Sequence, residues 1–209
     1  MNPPSWPLGA DGAWREIVTP EVTPARPGLF LDRDGVIVEE VNYLHRVADV
    51  RLMPGIAALI SRANRADVPV VVVTNQSGIG RGFYGWSDFD AVQREITHRL
   101  AGQGAHWDAV FASPFPPGNE PMRKPNPGML LAGAEAFGLE LAVSWILGDR
   151  ATDMEAGRRA GLEGGLFVGG GYTPEEVDQA LRQARDGFRV ERIKGLAEAT
   201  GHLAFLSSA

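Results

Sequence analysis

Short apolar runs alternate with amphipathic stretches along this chain. The runs at 29–31, 70–73, 109–112, 145–147 and 166–168 are aliphatic and aromatic without polar interruption, the pattern of strands covered on both faces. Between them, Ile56, Leu59, Ile60 and Ala63 recur at helical spacing behind Pro54, a residue suited to a first helical turn. A second helix is predicted from Ser87 as N-cap through Val92, Ile96 and Leu100. Others start near Pro127, Thr152 and Pro174, and a last one covers 196–206. Strands alternating with helices in this way form repeated units around a parallel sheet, so the predicted class is α/β, doubly wound, with helices on both faces. Residues 1–27, rich in Pro and Gly, read as an irregular arm ahead of a single domain over 28–209.

Composition narrows the function classes. With 209 residues, 44% of them hydrophobic, the chain can build one sizeable core. It has no cysteine, which excludes disulfides, a thiolate nucleophile and cysteine-ligated zinc, and fits a reducing, cytoplasmic setting. The longest strongly apolar stretch, 68–73, is interrupted by Pro69 and is far too short to span a bilayer. A formal charge of −6 speaks against nucleic acid or an anionic membrane as a general partner. An anionic ligand must therefore be met by local cations.

Chemistry concentrates where the predicted strands end. Asp32-Arg33-Asp34-Gly35 follows the first run, and two acids so close resist joint ionisation unless a cation or a hydrogen-bond network holds them. On its own the motif could be an ordinary turn. Thr74-Asn75-Gln76-Ser77-Gly78 follows the second run, Gly148-Asp149-Arg150-Ala151-Thr152-Asp153 follows the fourth, and Arg123-Lys124-Pro125 lies between them. Each has a plain reading as a helix cap, an Asx turn or a surface pair. Ligands of open α/β sheets bind at the carboxyl ends of strands, so the four clusters are expected to converge on one site.

Asp32-x-Asp34-Gly35, Thr74, Lys124 and Gly148-Asp149-x-x-x-Asp153 resemble the four motifs of the haloacid dehalogenase (HAD) superfamily of phosphohydrolases. The match extends over about 28–170. Within it, 30–38, 71–82 and 123–130 resemble the D-glycero-D-manno-heptose bisphosphate phosphatases and their histidinol-phosphatase relatives. The resemblance implies a Rossmann-like (HAD-like) sheet and a Mg²⁺-dependent phosphomonoesterase that forms an aspartyl-phosphate on a small sugar phosphate or bisphosphate. Asp32 would be the nucleophile and Asp34 the proton donor to the leaving alkoxide and then the base for water. Mg²⁺ would be held by Asp32, Asp149 and the backbone carbonyl of Asp34, with Asp153 and Arg150 behind them. Phosphate would be met by Thr74, Asn75, Gln76, Ser77 and Lys124, and a second phosphate by the planar fork of Arg123. The loop 40–45 resembles the substrate loop of that family and carries His45, which reads equally well as a surface residue; Arg150 reads alternatively as a solvent-facing cap.

Departures from the family accompany the matches. Relatives in this branch usually carry a zinc loop of three cysteines and one histidine before the Arg-Lys pair, whereas residues 113–122 hold neither residue type and four prolines, so no zinc is expected. Val36 stands where many members have Thr. The spacings between Asp34, Thr74 and Lys124 leave no room for a separate cap domain, so an open cleft is expected. Two other function classes compete with the sugar phosphatase: a phosphatase of polynucleotide ends, which the Thr-Asn-Gln-x-Gly-Ile pattern also resembles, and a non-catalytic binding module on the same fold.

Overall fold

The computed structural model describes residues 6–19, 25–169 and 173–207. Seven strands form one sheet: β1 (Trp14–Ile17), β2 (Leu29–Leu31), β3 (Val70–Asn75), β4 (Ala109–Ser113), β5 (Trp145–Gly148), β6 (Gly164–Val168) and β7 (Arg189–Ile193). Their spatial order is β1-β4-β3-β2-β5-β6-β7, parallel throughout except for β1, which runs antiparallel to β4. The helices are α1 (Ile56–Arg65), α2 (Ser77–Gly80), α3 (Trp86–Ala101), α4 (Gly128–Phe137), α5 (Ala151–Ala160) and α6 (Pro174–Leu181).

The apolar runs end up covered on both faces because alternate side chains serve two cores. Leu29, Leu31, Val70, Val72, Val110, Leu147 and Leu166 point to the layer of α1 and α3. Phe30, Val71, Val73, Phe111, Ile146 and Phe167 point to the layer of α4 and α5. The predicted doubly wound α/β class therefore stands, and among the described residues no inserted domain interrupts it. No helix among them is long and apolar enough to cross a membrane.

The structure corrects the sequence reading at four places. The arm at 1–27 is not irregular throughout: Trp14–Ile17 pairs with β4, and Trp14 is buried against Trp86 and Phe89. Strand β7 lies outside the predicted set because an edge strand of sequence Arg-Val-Glu-Arg-Ile carries no apolar run. Helix α3 starts one residue before Ser87, and its first turn is closed by the Asp88 carboxylate, which accepts the Gly85 N–H at 2.8 Å. The expected last helix over 196–206 is two 3₁₀ segments, Leu196–Gly201 and Ala204–Leu206. Leu196 and Ala199, and again Leu203 and Leu206, are buried at a spacing of three, which a 3₁₀ turn presents to one side.

The sheet's topology makes the site. From β2 the chain moves outward to β3 and β4, then returns to the other side of β2 as β5, so a switch point falls between β2 and β5. Leu31 is in register with Val72 and Leu147, which brings Asp32, Thr74 and Asp149 out together at the carboxyl ends of β2, β3 and β5.

Candidate active site

A cleft of about 340 Å³ opens at that switch point. It is lined by Asp32, Asp34, Thr74, Asn75, Gln76, Ser77, Arg123, Lys124, Asp149, Arg150 and Asp153, together with Thr152, Tyr84 and residues 40–44. All four predicted clusters therefore meet in one place. His45 does not line it: its side chain is exposed, its ring stacks on Tyr84, and its Nδ1 lies 2.7 Å from the Tyr43 carbonyl.

One half of the site is a buried charge cluster. Oxygens of Asp32, Asp149 and Asp153 lie within 4.8 Å of one another. The Lys124 ammonium reaches Asp32 Oδ1 at 2.9 Å and Asp153 Oδ1 at 2.6 Å, and donates to the Val73 carbonyl at 2.7 Å. Burial alone would lower the Lys124 pKa, but the two carboxylates overcome it and hold the ammonium above its usual value. Burial pushes the Asp32 carboxyl up to about 7 against the pull of Lys124, with Asp153 and Asp34 adding to the rise. Three hard carboxylate donors gathered this closely in a buried pocket are a donor set suited to a divalent cation.

Two glycines let this cluster close. Gly35 has φ +79°, and a Cβ there would lie 2.0 Å from Asp149 Oδ2. A Cβ on Gly148 would lie 2.2 Å from the Asp153 Cβ. The acids thus need a side-chain-free backbone in the loop after β2 and at the last residue of β5. Asp153 is further tied by the Arg150 N–H, which donates to its Oδ2 at 2.9 Å as α5 begins.

The other half is a bracket around Asp34. Arg33, whose side chain is fully buried, holds both Asp34 oxygens from Nη2 at 3.0 Å. Gln76 donates from Nε2 to Asp34 Oδ2 and to Thr74 Oγ1, both at 2.8 Å, and accepts at Oε1 from Arg33 Nη2 at 2.9 Å and from the Tyr84 hydroxyl at 2.6 Å. All four positions of the Gln76 amide are filled by protein, so Gln76 supports Asp34 and offers phosphate no spare side-chain donor. Burial pushes the Tyr84 phenol up to about 12, so its hydroxyl stays a donor well into the alkaline range.

The Arg123-Lys124 loop is fastened by protein groups. Asn75 clamps the Lys124 peptide, accepting its N–H at 3.1 Å and donating to its carbonyl at 3.0 Å. Arg123 Nη1 donates to the Phe115 carbonyl at 2.7 Å, and the Gly80 N–H donates to Pro114 O at 3.0 Å. These bonds tie the cysteine-free segment 113–122 to the site from both sides. Arg33 and Tyr84 were absent from the expected residues. Arg33 carried a signal, a cation placed between two acids at a strand end, while Tyr84 sits in a loop with none.

Relatives place this geometry in a family. Residues 121–194 match the model of the HAD-hydrolase-like family. The chain is 41% identical over 204 residues to the D-glycero-beta-D-manno-heptose-1,7-bisphosphate 7-phosphatase of Mesorhizobium japonicum, covering 93% of this chain and 94% of that one. The enzyme of the same name from Rhodopseudomonas palustris is 38% identical over 168 residues, 77% of this chain and 91% of that one. Among solved structures, a HAD-like phosphatase from Mesorhizobium loti superposes with TM-score 0.86 at 38% identity, covering 98% of this chain and 97% of that one. The D,D-heptose 1,7-bisphosphate phosphatase of B. bronchiseptica, solved with magnesium and phosphate, superposes with TM-score 0.75 at 31% identity over 87% of this chain and 99% of that one. The chain belongs to the HAD-like hydrolases, and within them it is a phosphatase of the family that holds these heptose bisphosphate phosphatases.

Proposed function

We propose that the enzyme removes the 7-phosphate of D-glycero-β-D-manno-heptose 1,7-bisphosphate through an aspartyl-phosphate on Asp32, with Mg²⁺ held by Asp32, Asp149 and the Asp34 backbone carbonyl. The observation that carries the reading is the buried group of Asp32, Asp149 and Asp153, two of them paired with Lys124, in a chain 41% identical to an enzyme of that name. Mg²⁺ held there would supply positive charge to offset the phosphate oxygens.

The protein's own groups do the rest. Asp32 Oδ attacks phosphorus and forms the new P–O bond as the bond to the sugar oxygen breaks. Asp34 gives its proton to that leaving oxygen, then as a carboxylate takes one from the water that attacks the phosphoenzyme and frees Asp32. Lys124, fixed by Asp153 and Val73, neutralises the transferring phosphoryl, and Thr74 and Ser77 line its seat. Arg123, held at the rim by Phe115, suits the phosphate that stays on the sugar. The absence of cysteine supports a cytoplasmic reaction, and the charge of −6 supports a small-molecule substrate over nucleic acid ends.

The test is phosphate release with Mg²⁺ from a panel of both heptose 1,7-bisphosphate anomers, histidinol phosphate, hexose phosphates and a 3′-phosphorylated oligonucleotide, with Asp32→Asn as blank. Preference for the β-bisphosphate supports the reading. Comparable turnover of the whole panel, or preference for another member, removes the substrate assignment.

A further inference from the structure

We infer that Arg33 is a positioning residue for the reaction, fixing the Asp34 carboxyl group in the orientation from which it protonates the leaving oxygen and, once ionised, receives the proton of water. The inference rests on the acid role of Asp34 proposed above. Arg33 stands behind the cleft: its side chain has 0% exposure and does not line the cleft, whereas the Asp34 side chain is 19% exposed and does. The two neighbours in sequence thus divide the work, one facing the reactants and the other facing the core.

The bracket leaves the Asp34 carboxyl group little freedom to turn. Five hydrogen bonds converge on the Asp34 oxygens: Arg33 Nε to Oδ1 at 3.3 Å and to Oδ2 at 3.2 Å, Arg33 Nη2 to each at 3.0 Å, and Gln76 Nε2 to Oδ2 at 2.8 Å. A carboxylate at a cleft rim turns freely about two torsions, and the planar fork of an arginine removes that freedom where a point-charge ammonium would not. Buried ion pairs add little to stability compared with apolar packing of the same shape, so orientation is the better account of a fully buried arginine here.

Arg33 is itself fixed from behind by α3. Its Nη1 donates to Gln93 Oε1 at 3.3 Å, and its guanidinium lies over the Phe89 ring at 5.4 Å. Gln93 keeps its own Nε2 buried without a protein partner, a cost borne where its Oε1 meets Arg33. Phe89 in turn packs on Trp14 at 5.2 Å and Trp86 at 5.4 Å, and Trp14 packs on Trp6 at 5.8 Å. A continuous aromatic column therefore runs from the N-terminal segment to the residue that aims Asp34.

The experiment compares kcat/KM for two leaving groups, because this quantity ends at phosphoryl transfer to Asp32. The alkyl phosphate turned over best in the panel needs a proton on its leaving oxygen; 4-nitrophenyl phosphate does not, since its phenolate leaves unaided. Arg33→Met is expected to lower kcat/KM for the alkyl phosphate roughly 10- to 100-fold, in kcat more than in KM, and for 4-nitrophenyl phosphate less than about 3-fold. Equal losses on both substrates overturn the positioning role. Should Arg33→Met fail to fold, Gln93→Leu retains Arg33 and is expected to show the same selectivity at smaller size, with equal losses again overturning it. Asp34→Asn separates the two readings. Equal losses in that variant remove the acid assignment itself, while a selective loss there with equal losses in Arg33→Met removes the positioning role alone.

Discussion

Asp32 and Asp34 stand two residues apart in one loop, yet the protein surrounds them in opposite ways. Asp32 sits among other carboxylates and shares a single ammonium with Asp153, so its neighbourhood is over-supplied with negative charge. Asp34 is held by an arginine fork and by an amide whose four positions are all filled by protein. The contrast suits two tasks: a nucleophile gains from cations that approach together with the phosphate, whereas a proton carrier gains from a fixed direction. Lys124 is compact and can serve several oxygens at once, while Arg33 is planar and commits to one carboxylate. The sequence places like residues side by side; the partners behind them make them unlike.

That contrast can be broken most completely at Asp32, the proposed nucleophile. Asp32→Asn is expected to reduce phosphate release by at least about 10³-fold with circular dichroism unchanged, because the amide cannot form the phosphoenzyme. Next comes the shared cation. Lys124→Met leaves Asp32 and Asp153 buried without their ammonium, at a cost of about 3–5 kcal/mol in urea unfolding. Added Mg²⁺ is expected to restore part of that stability in the variant and more of it than in the parent protein, since binding favours the folded state. A magnesium-independent difference would separate the carboxylate cluster from cation binding.

Subtler changes sharpen the comparison. Gly148→Ala pushes a methyl group into Asp153 and is expected to cost about 1–3 kcal/mol by urea unfolding, together with a fall in kcat, while the Asp34 bracket stays intact. Tyr84→Phe removes one donor to Gln76 and is expected to cost about 1 kcal/mol at neutral pH. The folded protein holds the Tyr84 proton more tightly than the unfolded chain does, so this contribution is full below about pH 10 and vanishes as pH rises through about 12. The stability difference between parent and Tyr84→Phe is therefore expected to shrink across that window; a difference constant with pH would assign the cost to packing.

The middle of the sheet was legible in the chain and its edges were not. Strands β2 to β6 are covered on both faces, so each needs an unbroken apolar run, and each has one apart from the glycines that open β6. Strands β1 and β7 lie at the margins and carry Arg15, Glu16, Arg189, Glu191 and Arg192, which read as loop. Asp32, Asp34 and Asp149 were legible because they fall just past strand ends, and Asp153 and Lys124 because they complete the motifs of the resembling family, Lys124 from the loop between β4 and α4. The roles of Gln76, Arg33 and Tyr84 were not, since they depend on three-dimensional partners drawn from different segments. His45 shows the reverse limit, as a residue in the substrate-like loop whose ring turns onto Tyr84 outside the cleft lining.

Those polar margins have a consequence for the chain's behaviour among its own copies. Without β1, the fully buried β4, Ala-Val-Phe-Ala-Ser, would end the sheet with a row of unpaired amides, a template for strand addition by another molecule. A four-residue antiparallel strand carrying both signs of charge caps that row, and β7 places alternating arginine and glutamate at the opposite margin. The two least hydrophobic strands thus shield the most hydrophobic ones from intermolecular cross-β pairing at both borders of the sheet.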